Sequence, residues 1–425
     1  MTSDKGQSTS PDFAYRNGTL HAEGVALKDL AAKYGTPLYV YSRGHLQSQF
    51  RALKSVMAPV SPLICYAVKS NTNAAVIATF AAEGAGADVV SSGELIRARR
   101  AGVPANRIVF AGVGKTEAEI EHALREDILY FTVESEPELE RISACAKKLG
   151  TTGRVAIRVN PDVDPKTHKY TSTGKKENKF GVDLQRAFAA YELAAKLPNL
   201  AITSLHMHLG SPIMTATPYA EALAKVKDLC HELKKRFPTF KHIDIGGGLG
   251  IPYKPEDKPF DLKAFADAVI PPLKELGLTV SMEPGRFLTG NAGVLLTRVE
   301  YIKENPFKKF IVIDAAMNDL IRPALYEAYH GIKPVRETTD TVFGDLVGPV
   351  CESGDFLAAN RDLPDVKQGE LLAVMSAGSY GFAMSSTYNS RPRAAEVMVS
   401  GTRHEVVRAR ESIEDLTKGE TLPNW

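Results

Sequence analysis

The chain of 425 residues is longer than one average domain, and a barrel of about 250 residues with a second domain would account for it. Its 52 lysine and arginine residues nearly balance 50 aspartate and glutamate residues, for a formal net charge of +2. Because no block of like charge stands out, the composition argues against a nucleic acid or an acidic membrane surface as partner.

Cysteine usage and the first residues bear on the compartment. The four cysteines are scattered without a CxxC pair, which is typical of a reducing environment, so we predict a cytoplasmic protein without disulfides. Residues 1–12 are polar and lack the apolar core of a signal peptide, and we expect them to form a disordered leader. No run approaches the roughly 18 apolar residues of a membrane span, so no membrane partner is expected.

Short elements are predicted before residue 58. Residues 13–22 alternate apolar and polar side chains around Asn17 and Gly18, a dipeptide that tolerates the positive φ angles of a tight hairpin turn. A helix is predicted over residues 27–34, a strand over 37–41 and a second helix over 46–57.

From residue 64 the pattern becomes regular, because runs rich in valine and isoleucine alternate with amphipathic segments. Helices are predicted at residues 74–83, 117–125, 136–149, 220–237 and 264–276. The eight predicted strands are residues 64–68, 87–90, 108–111, 129–133, 155–159, 204–208, 242–245 and 279–283. Eight such units predict a (β/α)8 (TIM) barrel.

Beyond residue 286 the rhythm changes to strands and turns, with one brief helical piece near residues 324–329. The predicted strands are residues 290–303, 310–314, 341–347, 370–374, 394–399 and 405–408. This pattern predicts a second, all-β domain, a β-sandwich or β-barrel that the N-terminal hairpin completes. The predicted division is therefore a leader (1–12), an N-terminal β element (13–42) joining the C-terminal β domain (287–425), and a barrel (43–286).

Polar chemistry collects where the predicted barrel strands end, which is where barrels carry their active sites. Desolvation of a lysine at such a position disfavours the ammonium form, and the amine becomes suited to a Schiff base, although a lone lysine more often reaches to water. Nine side chains have this placement: Lys69, Asp88, Ser91, Arg158, His206, His208, Ser211, Glu283 and Arg286.

Three consecutive glycines, Gly246, Gly247 and Gly248, follow the seventh predicted strand. Backbone N–H groups can approach an anion closely there, and barrels commonly hold a phosphate in the loops after strands seven and eight. A reactive amine, an anion-binding loop, a carboxylate and an arginine together suggest pyridoxal 5'-phosphate, with Glu283 at the pyridine nitrogen and a histidine from strand six on the ring face.

His206 and His208 leave one alternative, because residues at i and i+2 on a strand face the same way and could bind zinc. Of the further histidines considered as ligands, His231 falls on a helix, His242 is at the wrong strand end, and His330 and His404 are in the β domain. We therefore expect no metal.

Seven segments of the chain resemble those of the diaminopimelate decarboxylases and occur in the same order. These decarboxylases belong to the alanine-racemase-like, fold type III group of pyridoxal phosphate enzymes. The segments span nearly the whole chain: YAVKSN at 66–71, HMHLGS at 206–211, IGGGLGIPY at 245–253, EPGR at 283–286, DAAMNDLIRPALYEAYH at 314–330, GPVCESGD at 348–355 and AGSYGFAMSSTYNSRPR at 377–393. Several distinct motifs in order are more specific than any one of them.

The resemblance implies that Lys69 holds the cofactor as a Schiff base and that Cys351 is the acid that protonates carbon after carbon dioxide leaves. It implies a site formed between two subunits of a homodimer, with Cys351 and Glu352 from the partner chain. The cofactor-binding residues it implies are Lys69, Arg158, His208, Ser211, Gly247, Gly248, Glu283, Pro284, Gly285, Arg286 and Tyr380. The substrate-binding residues it implies are Arg286, Arg322, Tyr326, Glu352 and Tyr380.

The residue chemistry agrees with these roles. Diaminopimelate has two amino-acid ends, so the far end needs a planar fork such as Arg322 for its carboxylate and an acid such as Glu352 for its ammonium group. Without the resemblance, Arg322 and Tyr326 would be interpreted as ordinary surface residues of the β domain, and Cys351 would be interpreted as an inert apolar residue. The polar, turn-like residues around Cys351 favour an accessible thiol.

The resemblance implies decarboxylation of meso-2,6-diaminopimelate to L-lysine, the last step of lysine biosynthesis. The alternatives are a decarboxylase of the same group acting on ornithine, arginine or carboxynorspermidine, an amino-acid racemase, and a non-catalytic pyridoxal phosphate carrier. Carriers lack a β domain, and a racemase needs a second base on the opposite ring face. Residues 162–179, which include His168, Lys169, Tyr170 and Lys179, are long enough to predict a lid.

Overall fold

The structure is a computed structural model that describes residues 12–164 and 180–425. The predicted leader up to residue 11, and the predicted lid from residue 165 to 179 with His168, Lys169, Tyr170 and Lys179, lie outside the described residues. The chain forms two compact units. The barrel unit comprises Gln47–Ile251 and Pro259–Leu288, and the sheet unit comprises Met1–Leu46, Pro252–Lys258 and Thr289–Trp425. None of the helices in the described part has the length and apolar character that a membrane span requires.

Eight parallel strands form a closed barrel in the barrel unit, and we number them one to eight in chain order. They are Leu63–Ala67, Gly86–Val89, Ile108–Phe110, Tyr130–Val133, Gly153–Asn160, Leu200–His206, His242–Asp244 and Thr279–Met282. Strand eight pairs with strand one, and strand four with strand five, which closes the ring. Each strand overlaps the run predicted for it, so the (β/α)8 fold is confirmed.

Helices follow the barrel strands, and several begin at side chains that cap them. Thr116 accepts a hydrogen bond from the N–H of Glu119 and forms a capping box with it, and Asn73 and Asp261 cap two other helices. Such caps satisfy N–H groups that have no partner within the helix. The helices are Ala74–Ala82, Ser92–Arg100, Glu117–Glu126, Glu136–Leu149, Leu184–Lys196, Thr217–Arg236, Leu262–Leu276 and the short Arg286–Thr289, and Arg43–Val56 precedes strand one.

The sheet unit contains a nine-stranded and a three-stranded sheet. The large sheet consists of Leu38–Ser42, Gly293–Glu304, Lys309–Ile313, Ile332–Pro334, Thr341–Val347, Phe356–Pro364, Leu371–Val374, Ala395–Ser400 and Arg403–Arg408. The small sheet consists of Phe13–Arg16, Thr19–Ala22 and Val25–Ala26. The unit's helices are Leu27–Tyr34, Arg322–Tyr326 and Ile413–Thr417.

The N-terminal segment joins the large sheet differently from the prediction. The hairpin forms around Asn17 and Gly18 at positive φ, as expected, but it belongs to the small sheet. Leu38–Ser42 enters the large sheet instead, between Gly293–Glu304 and Ala395–Ser400. The hairpin packs its buried side chains against the core of the same unit, so it covers the large sheet rather than extending it.

Two strands of the large sheet were not predicted. Ile332–Pro334 has only three residues and ends in proline, and Phe356–Pro364 carries Asn360, Arg361 and Asp362 in its middle. Neither shows the apolar alternation of a half-buried strand. Antiparallel pairing of Phe356–Pro364 with Thr341–Val347 stabilises it, which is a long-range effect.

Candidate active site

Lys69 lies at the carboxyl end of strand one, within reach of strand two. The strand ends at Ala67, so Lys69 is in a single turn of 3₁₀ helix, Val68–Ser70, rather than directly at the strand end as predicted. Its ammonium group pairs with Asp88, whose carboxylate is fully buried, and the lysine side chain is 38% exposed. The buried carboxylate of Asp88 is thus a charge partner of Lys69 that the sequence alone did not predict.

Glu283 is a buried carboxyl group immediately after strand eight. Its Oε2 atom is 3.0 Å from Nε2 of His206, while its buried Oε1 atom has no hydrogen-bond partner among the described residues. Burial raises the pKa of Glu283, Asp88 raises it further, and Lys69 opposes the shift. A cationic N–H donor directed at Oε1 would reverse this effect and stabilise the carboxylate.

Behind Glu283 lies a second buried layer, formed by His206 and Asp244. Burial lowers the pKa of His206 to about 4, so its ring is neutral near pH 7, and its Nε2 atom shares a hydrogen bond with Oε2 of Glu283. Asp244 accepts hydrogen bonds from the Tyr130 hydroxyl (2.7 Å) and the Gly246 N–H (2.8 Å). This layer therefore fixes both Glu283 and the start of the glycine loop.

His206, Asp244 and Glu283 also bring three donor atoms within 4.8 Å of one another. His208, the other half of the zinc pair considered from the sequence, is not in this group. The hydrogen bonds described above engage the imidazole and both carboxyl groups, so we assign the cluster to the support of Glu283.

His208 is fixed by the loop after strand seven and by a buried ion pair. Its Nδ1 atom accepts a hydrogen bond from the Gly247 N–H at 3.2 Å, which assigns the neutral tautomer with the proton on Nε2. Burial, together with the positive charges of Arg158 and Lys69, holds the pKa of His208 well below its usual value. Arg158 forms a 2.9 Å ion pair with buried Glu134, and its Nη2 is 3.4 Å from the His208 carbonyl oxygen.

The glycine loop can exist only with glycine because neighbouring backbones approach it closely. A Cβ atom on Gly247 would be 2.1 Å from the carbonyl oxygen of Glu283, and one on Gly248 would be 2.2 Å from that of Gly210. Gly248 in addition has φ +98°, a conformation that residues with a Cβ rarely adopt. The three loops after strands six, seven and eight thus form a cradle of backbone.

Two polar side chains border this cradle. Arg286 is buried, and its Nε donates a 3.1 Å hydrogen bond to the Ser211 hydroxyl. The backbone of Pro284 accepts a hydrogen bond from the Ala67 N–H, which ties the Glu283–Arg286 segment to the strand that precedes Lys69. A cationic side chain, a hydroxyl and closely approaching backbone are groups that bind a phosphate.

The barrel unit therefore fits pyridoxal 5'-phosphate. Lys69 provides an amine for the aldehyde, and the unpartnered oxygen of Glu283 is suited to a protonated ring nitrogen. Ser211, Arg286 and the glycine cradle provide the donors for a phosphate. The orphaned Oε1 atom is the most specific of these features, since a buried carboxylate oxygen without a partner is unfavourable.

In the sheet unit, the predicted substrate residues do not all have the same environment. Arg322 begins the helix Arg322–Tyr326, two residues before the predicted helical piece, and its side chain is buried. Tyr326 ends that helix and is half-buried. Tyr380 has φ +55°, a strained conformation for a tyrosine, in the turn after Leu371–Val374.

Cys351 is the exposed cysteine of the four, since Cys65, Cys145 and Cys230 are buried. Its N–H donates to the Asn389 side chain (3.0 Å) and the neighbouring Glu352 accepts a hydrogen bond from the Tyr388 hydroxyl (2.8 Å). The loop is anchored by Asp355, whose buried carboxylate accepts hydrogen bonds from the N–H groups of Met317 and Val350. The thiol is therefore accessible on an ordered loop.

Glu134 and Asp244 were not among the predicted site residues. Glu134 directly follows strand four, which with strand three contributed no predicted site residue, and it pairs with Arg158. Asp244 is separated from the triple glycine only by Ile245 and is the last residue of strand seven. Position at a strand end was therefore an available signal for both residues.

Comparison with known proteins agrees with this chemistry. Residues 43–290 match the family model described as "Pyridoxal-dependent decarboxylase, pyridoxal binding domain". The diaminopimelate decarboxylase of Aquifex aeolicus is 51% identical over 405 residues, which cover 95% of this chain and 96% of that protein. That of Pseudomonas aeruginosa is 47% identical over 411 residues, covering 96% and 99%.

A solved structure extends the likeness to three dimensions. The crystal structure of diaminopimelate decarboxylase from Helicobacter pylori, complexed with L-lysine, has a TM-score of 0.89 and 39% sequence identity, covering 92% of this chain and 98% of that chain. The agreement includes the barrel and the sheet unit, because nearly the whole chain is covered. The chain therefore belongs to the pyridoxal-dependent decarboxylases, in the family of the diaminopimelate decarboxylases.

Proposed function

We propose that the protein is a carboxy-lyase that uses pyridoxal 5'-phosphate to convert meso-2,6-diaminopimelate into L-lysine and carbon dioxide, the last step of lysine biosynthesis. The observation that carries the proposal is the buried Oε1 atom of Glu283, which has no partner among the described residues in the barrel that also carries Lys69. Family membership supplies the substrate, since the relatives described above are diaminopimelate decarboxylases.

Each barrel residue has a defined task in this proposal. When bound, the cofactor supplies an electron-poor ring that accepts the electron pair left behind as the carboxylate departs. Glu283 holds the proton at the ring nitrogen, and His206 keeps Glu283 oriented. The ring of His208, neutral and fixed by Gly247, would lie against the cofactor ring. Lys69 would hold the cofactor through its side-chain amine in the absence of substrate.

The phosphate group and the substrate are held by the remaining predicted residues. Ser211, Arg286, Tyr380 and the glycine loop, with Gly285 and Pro284, are proposed to hold the phosphate, and Arg158 to hold the cofactor ring. Arg322, Tyr326, Arg286, Tyr380 and Glu352 are proposed to bind the substrate. A dicarboxylate with two ammonium groups needs both signs of charge, and this set offers both.

Cys351 is proposed to give the proton from Sγ to the carbon that has lost carbon dioxide.

We further propose a homodimer in which Cys351 and Glu352 act on the substrate of the partner chain. A recess of about 460 Å³ supports this idea, because it is lined by Met317, Ile321 and Tyr388, the last of which binds Glu352. Leu325 and Tyr388 are exposed apolar side chains that a second copy would cover.

Two further predictions remain part of the proposal. Residues 43–286 would form the cofactor domain, and residues 13–42 and 287–425 the second domain, a division that the two compact units support. The absence of paired cysteines in the sequence supports a cytoplasmic location.

The proposal is tested by measuring carbon dioxide and L-lysine formed from meso-diaminopimelate by the purified, cofactor-loaded protein. Lys69→Ala is expected to abolish both products and the visible absorption of the bound cofactor. Lys235→Ala, a change of an exposed lysine on the helix Thr217–Arg236, is the control and should change neither. Full activity of Lys69→Ala would refute the proposal.

Substrate choice is tested with a panel of meso-, L,L- and D,D-diaminopimelate, ornithine, arginine and carboxynorspermidine. Only the meso isomer is expected to be turned over rapidly, because the other diaminopimelate isomers reverse a stereocentre and ornithine and arginine lack the far amino-acid end. If kcat/KM for ornithine or arginine is higher than for meso-diaminopimelate, the proposed substrate is wrong.

The shared site is tested by mixing two inactive variants, Lys69→Ala and Cys351→Ala. If active sites take Lys69 from one chain and Cys351 from the other, each mixed dimer has one intact site of its two. Since random pairing makes about half of the dimers mixed, the mixture as a whole regains about one quarter of the wild-type activity. Mixtures that stay inactive although subunits exchange would show that both residues act within one chain.

A further inference from the structure

Arg322 is a buried cation that is not neutralised by a carboxylate within the described residues. Its side chain is 6% exposed, and its partners are the ring of Tyr253, 5.1 Å from Cζ to the ring centroid, and Nε2 of His330, 3.0 Å from Nη1. Burying a charge without an opposite charge is unfavourable. A bound carboxylate would remove this penalty, which agrees with the substrate role proposed for Arg322.

The hydrogen bonds of His330 determine its tautomer. The ring is fully buried, and Nδ1 is 2.8 Å from the carbonyl oxygen of Met375. Because a carbonyl oxygen only accepts, Nδ1 carries the proton and donates it. Nε2 then has a free electron pair, and it accepts the hydrogen bond from Nη1–H of Arg322. The order of donor and acceptor is therefore fixed from the Met375 carbonyl through the imidazole to the guanidinium.

The surroundings of His330 make this arrangement rigid. Tyr253 packs edge-on against the imidazole, with ring centroids 5.7 Å apart at 80°, while the same tyrosine ring contacts Arg322. The guanidinium of Arg361 donates to the His330 carbonyl oxygen and lies over the ring of Tyr329 at 4.2 Å. The imidazole and the backbone of His330 are thus both held, so the acceptor that His330 offers to Arg322 has a fixed position.

We propose that His330 is a positioning residue that, with Tyr253, aims the remaining N–H groups of Arg322 at the substrate's far carboxylate and so selects substrates that carry one. The inference rests on the proposed function, since it assumes that Arg322 binds that carboxylate. His330 takes one N–H of the guanidinium and leaves the others for a bidentate contact. His330, which was rejected as a metal ligand from the sequence, thereby acquires a role in specificity.

The test compares ligands with and without a carboxylate. L-lysine keeps the far carboxylate after decarboxylation, whereas cadaverine has none. In the holoenzyme, His330→Phe keeps the ring but removes both nitrogens, so we expect KM for meso-diaminopimelate and the Kd of L-lysine to rise about 10- to 100-fold, the range for losing a hydrogen bond to a charged group. The Kd of cadaverine and kcat should change less than about threefold, because their determinants lie elsewhere.

A conservative variant separates positioning from general structure. In His330→Gln the amide nitrogen can donate to the Met375 carbonyl while the amide oxygen accepts from Arg322, so L-lysine affinity should return to within about fivefold of wild type. If His330→Phe does not fold, His330→Met replaces it, with thermal unfolding recorded for every variant. Equal losses for L-lysine and cadaverine, no loss in the Phe or Met variant, or a Gln variant as impaired as these would each overturn the inference.

Arg322→Lys distinguishes this inference from the proposed function. If the wild-type protein neither decarboxylates meso-diaminopimelate nor binds L-lysine, the proposed function fails. If it does both, and Arg322→Lys weakens L-lysine binding while His330→Phe does not, the role of Arg322 stands and that of His330 is wrong.

Discussion

At the scale of single residues, the site depends on pairs in which one group sets the state of the other. Asp88 holds the ammonium group of Lys69, and the ring of His206, which burial keeps neutral, is hydrogen-bonded to Glu283. His208 is neutral for the same reason. A protonated ring nitrogen held at Oε1 of Glu283 would therefore meet a carboxyl group whose neighbouring imidazoles add no positive charge.

The clearest prediction at this scale concerns Glu283. Glu283→Gln preserves the shape and the contact with His206 but removes the negative charge that holds a proton on the ring nitrogen. We expect kcat to fall on the order of 10²- to 10³-fold, the usual loss when one preorganised electrostatic partner is removed. The absorption spectrum of the bound cofactor should also change, because the nitrogen is no longer protonated.

Steady-state kinetics and visible spectra of the loaded enzyme measure both effects. Glu232→Gln, an exposed change on the helix Thr217–Arg236, is the control for charge removal alone. A Glu283→Gln enzyme with wild-type kcat would contradict the assignment of Glu283 to the ring nitrogen.

At the scale of elements, the turns that follow the barrel strands matter more than the strands themselves. The turn Val68–Ser70 carries Lys69, and the Gly246–Gly248 loop crosses so close to its neighbours that no side chain fits. The strands supply a fixed ring of ends, and parallel pairing brings residues distant in sequence to one edge, as with Ala67 beside Asp88.

Gly248→Ala tests the cradle. The added methyl would clash with the Gly210 carbonyl oxygen and force φ +98° on a residue with a Cβ, so we expect a loss of about 2–4 kcal/mol from strain and overpacking. Affinity for pyridoxal 5'-phosphate should fall as well, since the loop is displaced. Thermal unfolding and cofactor titration measure the two losses.

Gly102→Ala is the matched control, because Gly102 has φ +92° but no atom within 4 Å of an added Cβ. It should cost only the backbone strain, about 1 kcal/mol, and leave cofactor affinity unchanged. Equal behaviour of the two variants would show that close packing at Gly248 is unimportant.

At the scale of the whole molecule, buried acids link stability to pH. Burial raises the pKa of Asp319 from 3.8 to about 7, although the Ala316 N–H and Arg391 oppose the shift. Between these values the folded protein keeps a proton that the unfolded chain has released. The contribution of Asp319 to stability is therefore full below about pH 4 and is lost as the pH rises through 7.

Asp319→Asn should remove that dependence. Its amide oxygen can still accept a hydrogen bond from the Ala316 N–H. We therefore expect the variant to gain stability relative to wild type by on the order of 1 kcal/mol per pH unit as the pH rises from 5 to about 7, with the gain levelling off by pH 8. Melting temperatures at pH 5, 6, 7 and 8 measure the gain. Asp267→Asn, an exposed change, should show no such trend, and a constant difference for Asp319→Asn would refute the linkage.

The amino-acid sequence by itself determined the barrel and the identity of most candidate residues. Alternation of apolar runs with amphipathic segments depends on local periodicity, which is why all eight strands and helices such as Glu136–Leu149 could be predicted. Lysine, glutamate and triple glycine at strand ends were recognisable for the same reason, because in a parallel barrel every strand ends at the same face.

Only the tertiary structure decided which groups meet and in which state. The entry of Leu38–Ser42 into the large sheet, the Lys69–Asp88 pair and the contact of His330 with Arg322 depend on pairing and burial between segments far apart in the chain. Protonation depends on the same burial, since desolvation acts on a group only after the chain has enclosed it. Local sequence patterns reveal neither the pairing of distant segments nor the burial of a side chain. The polar partners of His206 and His330 therefore became visible only in the folded protein.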